Sequence, residues 1–424
     1  MKRTAVLLAI LLAAAARSAN ADTTSDLYQL ISNTLGIDPN AGVTTLGSLL
    51  IPMGGLDEGM GTAYTAVCKD SSYFESNPAA SSLLDHTELS VFHNQWIADT
   101  KIEGLVYTIR YENLGFGIAG KWLYVPFPAT DQFGDNVGAG YYSESMAGFN
   151  VSYDFFPGFY NSGLAVGATA KLAYRAMPAV SYVDTTTGEP DAVTTANNSA
   201  LGVMVDGGLL YRFNFLKLYS SRDKNFSLGL AIRNLGPPVE GDPLPTDASF
   251  GLAYSPLKPW TLSFDLTKPI DLVNLSQSGT MNYAGGFLVQ MSDFFTIHGG
   301  LLIQGGNPRI TIGSSFDVSQ VQITVNYTLD LTTQLTPLNR ISVQAAFSLG
   351  DLGRGDIAKK VDSLYLSGLD AYAKGDIDGA IADWNEALKL DSSFDPARES
   401  RDAALASKGL KQTMTELQQI KPSP

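Results

Sequence analysis

Three histidines and one cysteine are the side chains with the most distinctive chemistry to offer in this 424-residue chain. His86 and His93 fall near the first expected strand, and their spacing matches no metal signature. His298 stands alone in an alternating segment. A hydrolase would need Ser, His and a carboxylate or amide brought together, and no such set is singled out. Phosphate-binding loops and cysteine clusters are absent from the sequence. The reading is a chain without an enzyme's residue set, metal ligands or cofactor signature, whose histidines are structural or face an interior. Cys68 has no second cysteine with which to form an internal disulfide.

The elements that would position these residues follow from the ends and the composition. Lys2 and Arg3 precede an uncharged apolar run over residues 5–16, and Ala19-Asn20-Ala21 supplies a small-x-small cleavage site. Residues 1–21 therefore read as an export signal, with the mature chain starting at Asp22. The rival reading, a membrane anchor, needs about 20 apolar residues, more than this run offers. The formal charge of −14 argues against nucleic acid as a partner. No later segment carries 18 consecutive apolar residues, yet the chain holds 41 Gly, 19 Tyr and 20 Phe with only 17% charged residues. An exported chain of that kind can still cross a membrane as a closed barrel, which leaves no backbone group unpaired in lipid.

Residues 87–350 alternate with period two. In Thr261-Leu262-Ser263-Phe264-Asp265-Leu266 the apolar residues share one face and the polar residues the other. The pattern recurs in Leu228–Arg233, Val321–Tyr327 and Ile341–Gln344. Lipid outside and a polar lumen inside demand that arrangement. Strands are expected near 87–98, 101–112, 113–125, 144–156, 162–182, 199–215, 224–235, 246–256, 259–269, 281–291, 293–304, 308–317, 320–331 and 338–349. That makes about fourteen. Residues 126–143 and 184–198 read as longer polar surface loops. Aromatic residues near strand ends, such as Trp122, Tyr124, Tyr153 and Phe155, suit interfacial girdles. A soluble sandwich is the alternative, but several of these strands exceed the usual five or six residues or so.

The stretch before the strands carries a motif. Gly59-Met60-Gly61-Thr62-Ala63 leads through Ala66 to Asp70, then Asn77-Pro78-Ala79. This resembles the opening of the FadL-like family of outer-membrane proteins, including its PorV branch. It is most similar to a spirochaetal, treponeme-type subgroup long carried as an uncharacterised protein family. The resemblance covers roughly residues 45–350. It implies a fourteen-stranded barrel over 87–350, plugged by an N-terminal hatch over 22–86. The hatch motif would be Gly59, Met60, Gly61, Ala63, Asp70, Asn77, Pro78 and Ala79. Small residues suit close packing in a crowded lumen, and Asn77 before proline is held extended or in a turn. Cys68 inside the motif departs from the family pattern, and so does a chain that continues past its last strand.

That continuation is helical. Charged residues make up about 31% of residues 351–424 against about 13% before them. Gly368, Gly375, Ala380, Trp384 and Ala387 resemble the small and bulky packing positions of one tetratricopeptide unit. Helices are expected over 358–373, 377–390 and 396–419. Such a unit serves either as a docking element for a periplasmic protein or as a plain cap.

The family resemblance implies an outer-membrane passive transporter for hydrophobic molecules, with long-chain fatty acids the expected cargo. The helical tail would then lie in the periplasm. Arg110, Lys121 and Arg175 are the strand-borne cations that could meet a carboxylate. The alternative is a PorV-like barrel serving protein secretion or docking through its tail.

Overall fold

The computed structural model describes residues 38–419 apart from 41, 98, 131–135, 178–180, 184–189, 195–197, 220–222 and 332–337. The expected signal at residues 1–21 lies outside the described residues. The strands are β1 (Glu88–Gln95), β2 (Lys101–Tyr111), β3 (Leu114–Thr130), β4 (Asn136–Phe155), β5 (Asn161–Ala176), β6 (Ser181–Val183), β7 (Pro190–Thr194) and β8 (Ala200–Phe213). They continue as β9 (Phe226–Leu235), β10 (Thr246–Tyr254), β11 (Trp260–Ile270), β12 (Asn282–Ser292), β13 (Phe295–Gln304), β14 (Asn307–Val318), β15 (Val321–Asp330) and β16 (Leu338–Ser348).

Fourteen of them form one closed antiparallel ring, with β5 beside β8 and the ring completed by β1 on β16. The closing pair runs in register from Glu88 opposite Ser348 to Gln95 opposite Ile341. Closure matters because it leaves no strand edge to face lipid. β6 and β7 form a separate two-stranded sheet within the β5–β8 connection.

Alternation explains which face each side chain takes. Along β8, Leu201, Val203, Val205 and Leu209 are exposed while Gly202, Met204, Asp206 and Gly208 are buried. Along β11, Leu262 and Phe264 point out and Thr261, Ser263 and Asp265 point in, as the period-two reading requires. The outer belt is thus apolar, the surface of a transmembrane barrel. Tyr153 and Phe155 stack edge-on at 4.7 Å near one end, and Trp122 and Tyr124 lie 4.6 Å apart nearer the other. No described helix is long and apolar enough to cross a membrane.

The two ends of the ring differ. One end carries tight connections, such as residues 112–113 between β2 and β3 and 319–320 between β14 and β15. The other carries longer ones, including those between β5 and β8 and between β11 and β12. These are called here the short-turn end and the long-loop end.

Three expectations change. Residues 126–143 are not a loop, because β3 continues to Thr130 and β4 starts at Asn136. Pro126 and Pro128 sit in that stretch opposite Tyr141 and Ala139 of β4. They are tolerated because β2 reaches only to Lys101, opposite Tyr124, so one side of β3 is an edge there. The strand expected over 162–182 ends at Ala176, and the 184–198 loop contains β7.

Residues 38–87, apart from 41, run through the ring. They comprise 3-10 turns at Gly47–Leu50, Ser71–Glu75 and Pro78–Leu83 and one short helix, α1 (Gly55–Gly59). Most of residues 53–84 are buried, and their apolar side chains form the centre of the main core with Phe92, Ile102 and Met204. After β16 come α2 (Arg354–Ala373), α3 (Ile377–Leu390) and α4 (Asp395–Gln419). This tail has its own core, built on Val361, Trp384, Phe394 and Ala397.

Candidate functional site

The site is the lumen and the insert that fills it. Thr45 N–H donates to Pro243 O and Asp38 N–H to Gly305 O, so the described insert begins at the long-loop end. It leaves at the short-turn end, where Thr87 pairs with Gly350 and Leu349. Residues 38–87 therefore cross the whole lumen.

Small residues allow the contact between insert and wall. Carbons added at Gly59 or Gly61 would collide with His298 or with the Gly300–Leu301 backbone of β13. From the wall side, a Cβ at Gly300 would strike Met60, one at Gly229 would strike Thr65, and one at Gly208 would strike Asn77. Met60 and Ala63 are fully buried in this seam.

Asp70 ties the insert to itself. Its carboxylate accepts from Ser72 N–H at 3.1 Å, Leu56 N–H at 3.3 Å and the Tyr64 hydroxyl at 2.8 Å. Asn77 caps the Pro78 turn by accepting from Ala79 N–H at 3.1 Å, and its amide donates to Thr65 O and to Leu209 O of β8. Pro78 takes the first position of that turn, where a missing N–H costs nothing. The motif residues thus pack and tie the insert.

The wall answers with polar side chains at alternate positions. Asp265 accepts from Thr65 N–H at 2.8 Å. Asn326 donates to Gly55 O at 2.8 Å, and Thr328 and Asn94 both donate to Glu58. Arg233 donates to Glu75 O at 2.8 Å while paired with Asp247. Sequence reading missed Arg233, Glu75 and Glu58. The signal that could have found Arg233 is a charge at the inward parity of a strand whose other face is apolar.

The three strand-borne cations are placed at separate points on the insert. Lys121 of β3 pairs with Glu75 at 2.5 Å and also donates to Ile51 O. Arg175 of β5 donates to the Thr45 hydroxyl at 2.6 Å, to Glu240 and to Asn198 O. Arg110 of β2 donates to Glu112 O and Leu84 O, near the short-turn end. They are not gathered around one carboxylate position. His298 bonds Asn326 at 2.7 Å, His93 bonds Glu103 at 2.9 Å, and His86 approaches Glu88 at 3.3 Å. No group of potential metal ligands occurs among the described residues.

Above the insert, at the long-loop end, lies a cavity of about 320 Å³. Leu50, Ile51, Pro269, Ile270 and Leu302 supply apolar lining, and Asp57, Glu75 and Arg233 also line it. Burial holds the Asp57 carboxyl well above the usual carboxylate range; Glu75 adds to this and Arg233 opposes it. Burial likewise raises Glu58 and pushes the Cys68 thiol up to about 12.

The tail docks on the short-turn end. Arg354 of α2 donates to Asp85 O at 2.6 Å, Arg110 O at 3.1 Å and Leu84 O at 3.3 Å. Phe159, in the β4–β5 turn, meets Phe394 edge-on at 5.2 Å. Within the tail, Trp384 donates to Tyr365 O at 3.2 Å, and its ring occupies the space a side chain at Gly368 would need. Ala380 and Ala387 are fully buried beside it, and Gly375 turns the chain at φ +84°.

Fold and site together define a closed fourteen-stranded membrane barrel occupied by its own N-terminal segment. The profile of the uncharacterised protein family UPF0164 matches residues 33–351, and the chain belongs to that family. Two UPF0164 proteins of Treponema pallidum (strain Nichols) are each 26% identical over 84% of this chain, covering 81% and 74% of their own lengths. The treponeme-type resemblance read from the motif is thereby borne out. Among solved structures, the toluene transporter TodX of Pseudomonas putida is similar at TM-score 0.46 and 13% identity, over 68% of this chain and 95% of that one. A Pseudomonas aeruginosa FadL homologue is similar at 0.42 and 11%, over 69% and 97%. Likeness at that level assigns no cargo to this chain.

Proposed function

We propose that the protein is an outer-membrane passive transporter for hydrophobic molecules, with residues 38–87 as its hatch. One observation carries this reading. The lumen wall facing the insert is lined by buried Ser, Thr and Asn such as Thr108, Asn150, Thr311, Thr324 and Asn326. Water can satisfy such groups, so the insert can part from this polar portion of the wall at little cost, while Phe92, Ile102 and Met204 form the apolar portion it also covers. A cavity with apolar lining stands on the long-loop side of that movable segment. Short turns are the habit of the periplasmic end of such barrels, and the tail's contacts with that end support a periplasmic tail. Arg110, Lys121 and Arg175 act in this reading as ties that hold the hatch shut. Long-chain fatty acids are the cargo that the family resemblance implies. The test is uptake of radiolabelled palmitate and decanol into proteoliposomes carrying the full chain. A saturable component for either supports the reading, and none for both overturns it.

A second reading rests on the tail. Leu366, Leu369 and Tyr372 of α2 are exposed, a face fit for a protein partner of a tetratricopeptide-like unit. Secretion or docking through the tail predicts that a periplasmic extract yields one stoichiometric partner, lost in a Leu366→Glu variant. Failure to capture any such partner would remove this reading.

A further inference from the structure

We propose that the long-loop cavity binds amphiphiles with a cationic, hydrogen-donating head group, seating an amine on Asp57 and an apolar chain along Leu50, Ile51 and Ile270. This rests on the transporter reading of a hydrophobic cargo and puts an amine in place of the fatty acid that the family resemblance implies. Among the described residues, the lining holds five carboxylates and only two guanidiniums. Both guanidiniums already have partners: Arg233 Nε lies 2.8 Å from Asp247, and Arg309 Nε 2.9 Å from Asp330. Glu75 accepts at both oxygens, from Lys121 Nζ at 2.5 Å and Met53 N–H at 2.7 Å.

Asp57 is different. It is 4% exposed, and its Oδ1 has no hydrogen-bond partner among the described residues. A buried oxygen left unpaired is costly, and a ligand that donates to it recovers that cost. A carboxylate ligand cannot donate when ionised, and it would meet an excess of like charge. An ammonium supplies both donors and a positive charge that favours the ionised form of Asp57 against the burial that disfavours it. At the ~30 Å³ share of one water, the cavity holds on the order of ten heavy atoms, which suits a ten-carbon chain.

The experiment compares radiolabelled decylamine, decanol and decanoate at pH 7.5 on the full chain in nanodiscs, with empty nanodiscs subtracted. Decylamine is expected to bind at least tenfold tighter than decanoate. Asp57→Asn is expected to weaken decylamine at least tenfold and leave decanol unchanged. Leu50→Trp, which fills the cavity, is expected to weaken all three. Decanoate binding as tightly as decylamine overturns the proposal while leaving the transporter reading intact. So does an Asp57→Asn variant that binds decylamine unchanged. No saturable binding of any of the three overturns both. Because the head-group comparison uses the unaltered protein, it decides even if Asp57→Asn fails to fold.

Discussion

Lys121 on the barrel wall and Glu75 on the insert meet at 2.5 Å, with side chains only 1% and 11% exposed. Removing one partner of a buried pair strands the other charge, at about 3–5 kcal/mol. Lys121→Met should therefore loosen the insert by that order, while Lys121→Met with Glu75→Leu should recover part of the loss. Electrical recordings on planar bilayers check this. The single variant is expected to show frequent openings that the double variant lacks, and equal traces would refute the tie.

Cys68 offers an internal reporter of insert motion. Its thiol is 1% exposed and donates to Tyr64 O at 3.1 Å. Since its pKa is raised from 9.0 to about 12 in the folded state, its share of the docking energy is intact below pH 9. That share is lost as pH climbs from 9 toward 12, at roughly 1.4 kcal/mol per unit. Maleimide labelling at pH 7.5 should be slow in the intact chain and rise in Lys121→Met. Fast labelling of the unaltered protein would mean that the insert is not held.

Gly207 and Gly208 are neighbours on β8 with opposite duties. A Cβ at Gly208 collides with Asn77 and Pro78, whereas one at Gly207 meets none of the described residues within 4 Å. Gly208→Ala should cost about 1–3 kcal/mol through overpacking and speed Cys68 labelling. Gly207→Ala should leave both stability and labelling unchanged. Two variants that behave alike would contradict the packing.

Arg354 fastens the tail to the insert's exit through two carbonyls, Leu84 O and Asp85 O, and to β2 through a third, Arg110 O. Each charge-assisted bond is worth about 1.5–3 kcal/mol when both partners are ordered. Arg354→Ala should expose residues 84–87 to limited proteolysis without melting the tail, whose core lies elsewhere. Mass spectrometry of the digest reads the result, and unchanged protection there would count against the fastening.

Asp57 and Glu58 set an acid-side dependence of opposite habit to most carboxylates. Both are raised in the folded state by burial, so insert docking is strongest below their ordinary values and weakens as pH rises through the raised ones. Electrical openings should become rarer as pH falls from 7.5 to 5. Asp57→Asn should flatten that trend.

The strands were legible because one-sided burial leaves a period-two trace, as in Thr261–Leu266. The tail hairpin was legible because Gly368 and Trp384 must fit one another. The extension of β3 past Tyr124 was not, since its prolines look like breakers until the ring shows which side is an edge. The duties of Lys121, Arg175 and Arg110 were equally hidden. Inward parity marks them as lumen cations, but only the path of residues 38–87 shows what they hold.

The insert runs through the ring from one rim to the other, and the segment directly after it is β1, half of the pair that completes the ring. The chain is therefore threaded through its own barrel. Zipping β16 onto β1 around a segment already laid in place spares the protein from drawing that segment through a finished hole. Residues that anchor the insert, such as Asn77 and Asp265, would then act during assembly as a template on which neighbouring strands settle. Their loss would appear first as a lower yield of closed barrels and only afterwards as a leaky one.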